Sequence, residues 1–470
     1  PEDLSIIIKS FWGGIWSRRR DRPGERELSR YLGSYFKRIP DAILKDFKTP
    51  SIDDIIDAIN RTGNSAPGPD GIPFSIIRFF AYELAPIIHG MVSRLGQGIP
   101  PPRSFNWGTL HLLPKDESMK VDKTRPITVG NAINRIIAGI LTEILAKAAS
   151  AIIGDRQKGF IPGRDGREHI EELTKAFYTA EGKKEKKYVL FLDTAKAFDS
   201  LDHEFIEGML KKIGTPEWFL NALKGLLSNV TVFPTLSSAA EDSGVRVERG
   251  VKQGCPLSPI LFVLCYDVVM EALKGIQGLK LFAFADDLAI MADSLGDLKK
   301  AMELIRRFSH SSGLGLNISK TTIVPTVPPT QSEEDFLAGE IGGGIKFKSS
   351  AKYLGVLVGY GIDTRDIFRG AEKKFFSKLH RYSPLLKRVS LHKRALIVNI
   401  YLLPVFYYLA QFYIVPEDMR IRVKEAIRRR VIPFNGGAFA YAHIIAPKSQ
   451  MGIYQPLKDL WAVNMTLLAQ

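Results

Sequence analysis

The sequence predicts an α+β fold, an antiparallel sheet with helices on one face, and three observations carry that prediction. From Tyr188 onward strand and helix periods alternate along the chain. Two segments, 230–236 with 245–249 and then 352–359, read as hairpins. With 45% apolar and 10% aromatic residues in 470, the chain can bury large cores, which suggests one elongated multi-lobed body or two to four subdomains and excludes a flexible tail.

Residues 1–60 place Phe11, Ile15, Tyr31, Tyr35 and Phe36 at helical spacing around the basic run Arg18-Arg19-Arg20, with a turn at 21–24. That run reads as an exposed charged stretch, with a nuclear import signal as the alternative. The cluster Ala66-Pro67-Gly68-Pro69-Asp70-Gly71-Ile72-Pro73 has too many breakers for helix or strand and is an ordered turn or loop. A helix follows over 75–95, a strand over 108–114, and Arg125-Pro126-Ile127 leads into a helix over 132–149. Residues 183–187 are a charged hairpin tip or loop. The second half reads as strand 188–192, helix 203–213, the first hairpin, helix 258–273, a strand-turn-strand centred on Asp286-Asp287, helix 298–311, a strand and the second hairpin. The Pro/Gly/acid-rich stretch 325–344 reads as a surface loop, and no internal repeat is present.

Two cysteines, Cys255 and Cys265, exclude a disulfide framework and a cysteine-ligated zinc finger, and point to a reducing compartment. No signal sequence opens the chain, and Pro1 suggests a processed form or an excerpt from a longer polypeptide. Residues 395–416 carry no charge, but Pro404, Asn399, Gln411 and the scattered Tyr401, Tyr407, Tyr408 and Tyr413 favour buried helices broken at Pro404 over a membrane span. The net charge of +15 is concentrated. Residues 365–430 hold sixteen Lys or Arg against five Asp or Glu, which reads as a phosphate-tracking surface or as a solvated helix face.

Two carboxylate sites carry the chemistry. In Phe191-Leu192-Asp193-Thr194-Ala195-Lys196-Ala197-Phe198-Asp199 an apolar strand runs straight into an acid. In Phe282-Ala283-Phe284-Ala285-Asp286-Asp287-Leu288-Ala289-Ile290 two adjacent acids interrupt an apolar run. Buried or adjacent carboxylates need a positive partner. If the two strands lie side by side, Asp193 and Asp286 come within reach of shared divalent ions, the arrangement that in-line phosphoryl displacement uses, and Mg2+ suits all-oxygen ligands.

These segments belong to an ordered set: Ala66 to Pro73; Leu113-Pro114-Lys115 with Arg125-Pro126-Ile127; Phe191-Leu192-Asp193 through Asp199; Gly250-Val251-Lys252-Gln253-Gly254-Cys255-Pro256-Leu257-Ser258-Pro259; Phe284 to Asp287; Gly315-Leu316-Asn317 with Ser319-Lys320-Thr321; and Tyr353-Leu354-Gly355. In that order the set resembles the reverse transcriptases, most closely those of non-LTR retrotransposons, over about residues 65–461. The resemblance implies a right-hand polymerase: an N-terminal helical extension over 1–64, fingers over 65–187, a palm with an antiparallel sheet backed by helices over 188–362, a basic helical thumb over 363–434 and a post-thumb segment from 435.

It also implies roles. Asp193 and Asp286 would ligate two Mg2+ ions, with Mn2+ as a possible substitute, the carbonyl of Thr194 as a further ligand and Asp287 beside them. Lys320 would protonate the leaving pyrophosphate. Lys115 and Arg125 would meet the triphosphate, Gln253 and Gly254 would approach nucleotide and template, and Phe198 would lie under the sugar and exclude a ribose 2′ hydroxyl. Tyr353, Leu354 and Gly355 would hold the primer end, and Lys387, Arg388, Lys393 and Arg394 the duplex. The implied partners are template RNA, a DNA or RNA primer with its RNA–DNA duplex, and deoxynucleoside triphosphates, with no membrane. Endonuclease or further nucleic-acid-binding domains would lie outside this chain, which has no Cys/His cluster. The resemblance alone implies a nuclear location with a cytoplasmic ribonucleoprotein stage. A group II intron-like maturase and a non-catalytic RNA-binding scaffold of the same fold are the competing expectations; the three aspartates disfavour the scaffold, and Phe284 at the head of Phe-Ala-Asp-Asp disfavours the maturase.

Overall fold

The computed structural model describes residues 2–183, 185–235 and 244–431, which fall into two compact units. The first comprises Pro1–Gly166, Lys187–Ile323 and Pro329–Phe347, and the second Arg167–Lys186, Val324–Pro328 and Lys348 onward.

The first unit is built around the strand Tyr188–Leu192, buried at all five positions. A strand covered on both faces reads as a continuous apolar run, which is why no alternation marks it in the sequence. It pairs antiparallel with Asp287–Ala292, Leu192 opposite Leu288, and that strand pairs antiparallel with Leu279–Phe284 through a two-residue turn. Thr322–Pro325 and Lys346–Phe347 complete a five-stranded, mainly antiparallel sheet. The helix Ser258–Lys274 buries Phe262, Cys265 and Tyr266 and packs against helices Ala132–Ile152, His203–Lys212 and Leu295–Ser312. This is the α+β architecture the sequence predicts.

A second sheet runs in the order Thr124–Gly130, Trp107–Pro114, Thr231–Pro234, Val245–Arg246. The helix Glu2–Trp16 covers it, joining Ile8, Trp12 and Trp16 to Leu110, Val232 and Val245 in a separate apolar cluster. The rest of the N-terminal segment shares the main core through Leu28, Leu32, Tyr35, Ile55 and Ile59. Polar ties reinforce this docking: Tyr35 Oη and Lys37 Nζ both donate to buried Asp267, each at 2.7 Å.

The second unit holds helix Arg167–Lys183, the hairpin Ser350–Tyr353 with Val356–Gly359, and helices Thr364–Leu386 and Glu417–Val431. Between the last two the chain is helical in short pieces, and Pro404 opens the piece Pro404–Tyr407. Leu402, Leu403, Phe406 and Ala410 are buried, as expected of broken core helices, and no described helix is long and apolar enough to cross a membrane.

Four local expectations are corrected. The stretch 325–344 is not a plain surface loop: Gln331–Phe336 is helical behind a Thr330–Glu333 capping box, and a π turn, Leu337–Ile341, puts Leu337 and Ile341 into the main core. Glu334, Asp335 and Glu340 are exposed, so composition hid two anchors. The helix expected over 75–95 is two, Phe74–Phe79 and Ala81–Gly96, broken at Phe80. Of the arginine run, Arg18 and Arg20 are exposed as expected, whereas Arg19 is largely buried and bonds Asp202 at 2.6 Å, so Arg19 serves the fold. Phe36 is exposed. Residues 435–470 lie outside the described part.

Ile341→Ala should therefore cost about 2 to 4 kcal/mol of stability in denaturant unfolding. A surface-loop position would stay within about 0.5 kcal/mol.

Candidate active site

The register brings the acids together. Because Leu192 faces Leu288, Asp193 and Asp287 continue the two strands at the same end of the sheet, with Asp286 on the adjoining turn. The turn is held in an uncommon conformation: Ala285 is left-handed at φ 56°. A Cβ there has a steric cost, so the surroundings must impose it. Gln157, 1% exposed, does so. Its Oε1 accepts from the Ala285 amide at 2.8 Å and its Nε2 donates to the Ala285 carbonyl at 3.1 Å. Backbone bonds from Ala283 to Arg156 and from Lys158 to Ala283 lay the two segments together. Gly159 admits this approach, since a Cβ there would stand 2.3 Å from the Ala285 nitrogen.

Asp193 is fixed from its other side. Its amide donates to Thr321 Oγ1 at 3.3 Å and its carbonyl accepts from the Asn317 amide at 2.8 Å. Thr194–Ala195 pairs with Gly315–Leu316. The turn that follows sets Lys320 Nζ 4.0 Å from Asp193 Oδ2, so Lys320, though exposed, stands over the acids.

The acids open into a cleft of about 920 Å3. Lys115, Arg125, Thr194, Phe198, Gln253, Gly254 and Lys320 line it together with Asp193, Asp286 and Asp287, so every catalytic and substrate-contact residue expected from sequence meets here. Lys115 and Arg125 are exposed at the end of the second sheet, and among the described residues neither has an ion-pair partner. They are available to an anion. The loop bearing Gln253 is tied to the Arg125 strand by Thr128 N to Gln253 O at 2.7 Å. Gly254, at φ 118°, is required, because a Cβ would meet the Thr128 carbonyl at 2.4 Å. Phe198 does two things: it stacks on buried Phe262 with centroids 4.8 Å apart, and it lines the cleft beside Phe160.

Crowding shows in the acidities. Burial first and the charge of Asp193 next raise Asp286 above the ordinary carboxylate value. Asp287 reaches solvent, yet its carboxyl group lies against the cleft wall; desolvation, then the charges of Asp286 and Asp193, push it up to about 6. Lys115 and Lys320 offset this negative charge only in part, and with oxygen donors only, a hard divalent cation fits it. Among the described residues no group of three or more His, Cys, Asp or Glu forms a ready-made cage. Mg2+ does not need one, since it binds through one or two carboxylates plus substrate phosphates.

The expected duplex contacts lie in the second unit. Tyr353 is buried, its Oη 3.4 Å from His169 Nδ1, so its ring is a core element rather than a presented surface. Leu354 and Gly355 form the hairpin turn at φ 45° and 86°, with the Leu354 carbonyl accepting from Tyr408 Oη at 2.7 Å. Lys387, Arg388 and Lys393 are exposed. Arg394 is half-buried and turns back to the Val389 carbonyl at 3.0 Å, which is a local structural bond.

Sequence reasoning missed Gln157, whose partner is 128 residues away. The one local signal was a glutamine two positions before a glycine, which names no partner. It also passed over the roles of Trp16 and Asp199, whose hydrogen bond spans 183 residues.

A palm-like sheet presenting three acids to a cation-lined cleft defines a nucleotidyl-transfer type of site. Residues 113–358 match the family described as reverse transcriptase (RNA-dependent DNA polymerase), and the chain belongs to that family. It is 26% identical over 416 residues to the Transposon TX1 uncharacterized 149 kDa protein of Xenopus laevis, a match covering 85% of this chain and 31% of the relative. It is 29% identical over 280 residues to the Retrovirus-related Pol polyprotein from type-1 retrotransposable element R2 of Popillia japonica, covering 57% and 38%. With the Probable RNA-directed DNA polymerase from transposon X-element of Drosophila melanogaster it shares 25% over 375 residues, covering 76% and 38%. The chain thus spans about a third of the length of the curated relatives it matches.

Gln157→Met should leave both Ala285 backbone groups unpaired, at about 1 to 3 kcal/mol each, and speed amide exchange across 283–287. Adding Ala285→Gly should recover part of the stability, because glycine takes the left-handed conformation without a Cβ penalty. Denaturant unfolding and hydrogen-exchange mass spectrometry measure both.

Proposed function

We propose that this chain is an RNA-directed DNA polymerase that extends a primer 3′ hydroxyl along template RNA, as part of a longer retrotransposon protein using target-primed reverse transcription. The observation that carries the reading is the convergence in one cleft of Asp193, Asp286 and Asp287 with the cations Lys115 and Arg125 and with Gln253 and Phe198. The names of the relatives support the retrotransposon setting.

Asp193 and Asp286, with the Thr194 carbonyl, would hold two Mg2+ ions, or Mn2+ in their place, which when bound supply charge neutralisation at the attacking and leaving oxygens. The other steps belong to the chain's own groups. Lys115 and Arg125 orient the triphosphate through charge-assisted hydrogen bonds. Lys320, whose Nζ lies 4.0 Å from Asp193 Oδ2, would protonate the leaving pyrophosphate. Phe198, backed by Phe262, gives the sugar an apolar floor that cannot bond a 2′ hydroxyl. The duplex would lie on the exposed Lys387, Arg388 and Lys393 and the turn at Leu354 and Gly355. Partners are template RNA, primer and deoxynucleoside triphosphates, and the setting implies a nuclear location with a cytoplasmic ribonucleoprotein stage.

Asp286→Asn should abolish primer extension on heteropolymeric RNA while leaving RNA binding and unfolding nearly unchanged, because it removes charge but little volume. Near wild-type synthesis in that variant would refute the assignment of the acids.

Phe198→Val tests the floor separately. It should admit ribonucleotides while still extending with deoxynucleotides, read as the ratio of the two in single-nucleotide extension. A pure core role would instead lower both alike, with a cavity cost of about 1 to 3 kcal/mol against about 3 to 5 for Phe198→Ala.

A further inference from the structure

The helix Glu2–Trp16 ends against the wall of the same cleft, and the contact runs through a residue that the chemistry above leaves unused. Asp199 is 3% exposed, and its two oxygens have separate partners. Oδ1 accepts from the Trp16 indole Nε1 at 3.3 Å, and Oδ2 accepts from Gln253 Nε2 at 3.0 Å. An ionised carboxylate can only accept, so it dictates which half of the Gln253 amide faces it. The NH2 is committed to Asp199, and Oε1 is the half left for a ligand in the cleft that Gln253 lines. Burial pushes Asp199 up to about 6, while the Trp16 bond, the Lys196 charge and the Gln253 bond work in the opposite direction and favour the ionised form.

The helix end is itself well anchored. Trp16 is 3% exposed and stacks on fully buried Trp12 at 5.0 Å. The Lys196 ammonium lies 4.4 Å from the Trp12 ring centroid and donates to the Asp122 carbonyl at 3.0 Å. The Glu248 amide donates to the Trp16 carbonyl at 2.9 Å. One helix therefore grips both the segment that follows Asp193 and the segment that leads into Gln253. A helix that only covered the second sheet would need apolar contacts, not an indole N–H spent on a buried acid.

We propose that Trp16 and Asp199 are positioning residues for the incoming nucleotide: through them the N-terminal helix fixes the Gln253 amide so that its carbonyl accepts a hydrogen bond from a hydroxyl or amino donor of that nucleotide. The proposal rests on reading the cleft as the nucleotide site. It makes the segment before the fingers part of the polymerase centre, and it assigns Asp199 a task distinct from that of Asp193, Asp286 and Asp287.

Trp16→Phe removes the N–H and keeps most of the ring. In the full chain it should raise KM for the deoxynucleotide about threefold to tenfold, the value of one hydrogen bond, with kcat within about twofold and unfolding and template–primer affinity unchanged. Asp199→Asn can present an NH2 where the amide of Gln253 needs an acceptor. It should raise KM at least as much, and Trp16→Phe should add little in that background, because the two act on one amide. A folded Trp16→Phe protein with wild-type KM, or fully additive effects, would overturn the proposal. A readout without substrate separates it from the functional reading: in 15N-indole NMR, Asp199→Asn should displace the Trp16 Nε1–H resonance. An unmoved resonance defeats the relay itself. A displaced resonance in a chain whose wild type incorporates no nucleotide defeats the reading of the cleft, and the nucleotide role of Trp16 and Asp199 with it.

Discussion

Three carboxylates are held at one end of paired, fully covered strands, and the repulsion among them is the constraint around which the rest of the first unit is arranged. Asp286 and Asp287 are each pushed toward protonation by burial and by neighbouring acids, so the sheet end is destabilised in the absence of a counter-charge. The backbone cannot relax away from this, because Gln157 locks Ala285 on one side and Thr321 and Asn317 fix Asp193 on the other. The acids are thereby held close together although they repel, the logic by which functional sites retain strain that surrounding structure over-determines.

The walls of the cleft answer that charge without cancelling it. Lys115 and Arg125 come from the second sheet and Lys320 from the turn after Gly315–Leu316, all exposed and spaced around the acids rather than paired tightly to them. Close pairing would neutralise the acids and leave nothing for metal or phosphate. The loop with Gln253 is pinned to the Arg125 strand through Thr128, and to the segment after Asp193 through Val251 N to Phe198 O at 2.7 Å. The two walls are thus joined through this loop. The N-terminal helix closes this frame through Trp16 and Asp199, and the Tyr35 and Lys37 bonds to Asp267 root the same N-terminal segment in the helix that backs the sheet.

Part of this was legible because the relevant physics is local. Tyr188–Leu192 is a strand in sequence and in structure, since a short unbroken apolar run that ends at an acid suits a strand covered on both faces. The acids at its end and on the Phe284–Asp287 turn announced themselves by standing where charge is costly. Other readings failed where composition and position disagree. The acid-rich stretch around Gln331–Phe336 looked like surface, and most of it is, but Leu337 and Ile341 reach the core. Arg19 looked like part of an exposed charged run, but it is largely buried against Asp202, 183 residues away. In the hairpin expected to hold the primer end, the Tyr353 ring is buried against His169, and Leu354 and Gly355 form the turn.

The sequence by itself determined the strand Tyr188–Leu192, the strand-turn-strand around Asp286 and Asp287, the helix that opens at Ser258, the identity of the three acids and the family-like order of the segments, since each depends on neighbours a few residues apart; it did not show the strand Thr124–Gly130, which reads only as a lead into the next helix until it pairs with Trp107–Pro114. Only the tertiary structure decided that Gln157 shapes the turn at Ala285, that Trp16 reaches Asp199, and that Arg394 is spent on the Val389 carbonyl. The first two are hydrogen bonds across 128 and 183 residues, and the third is one of many carbonyls the Arg394 side chain could have met. A hydrogen bond is fixed by position and direction in space, and a linear pattern carries neither until the strands have paired and the helices have docked.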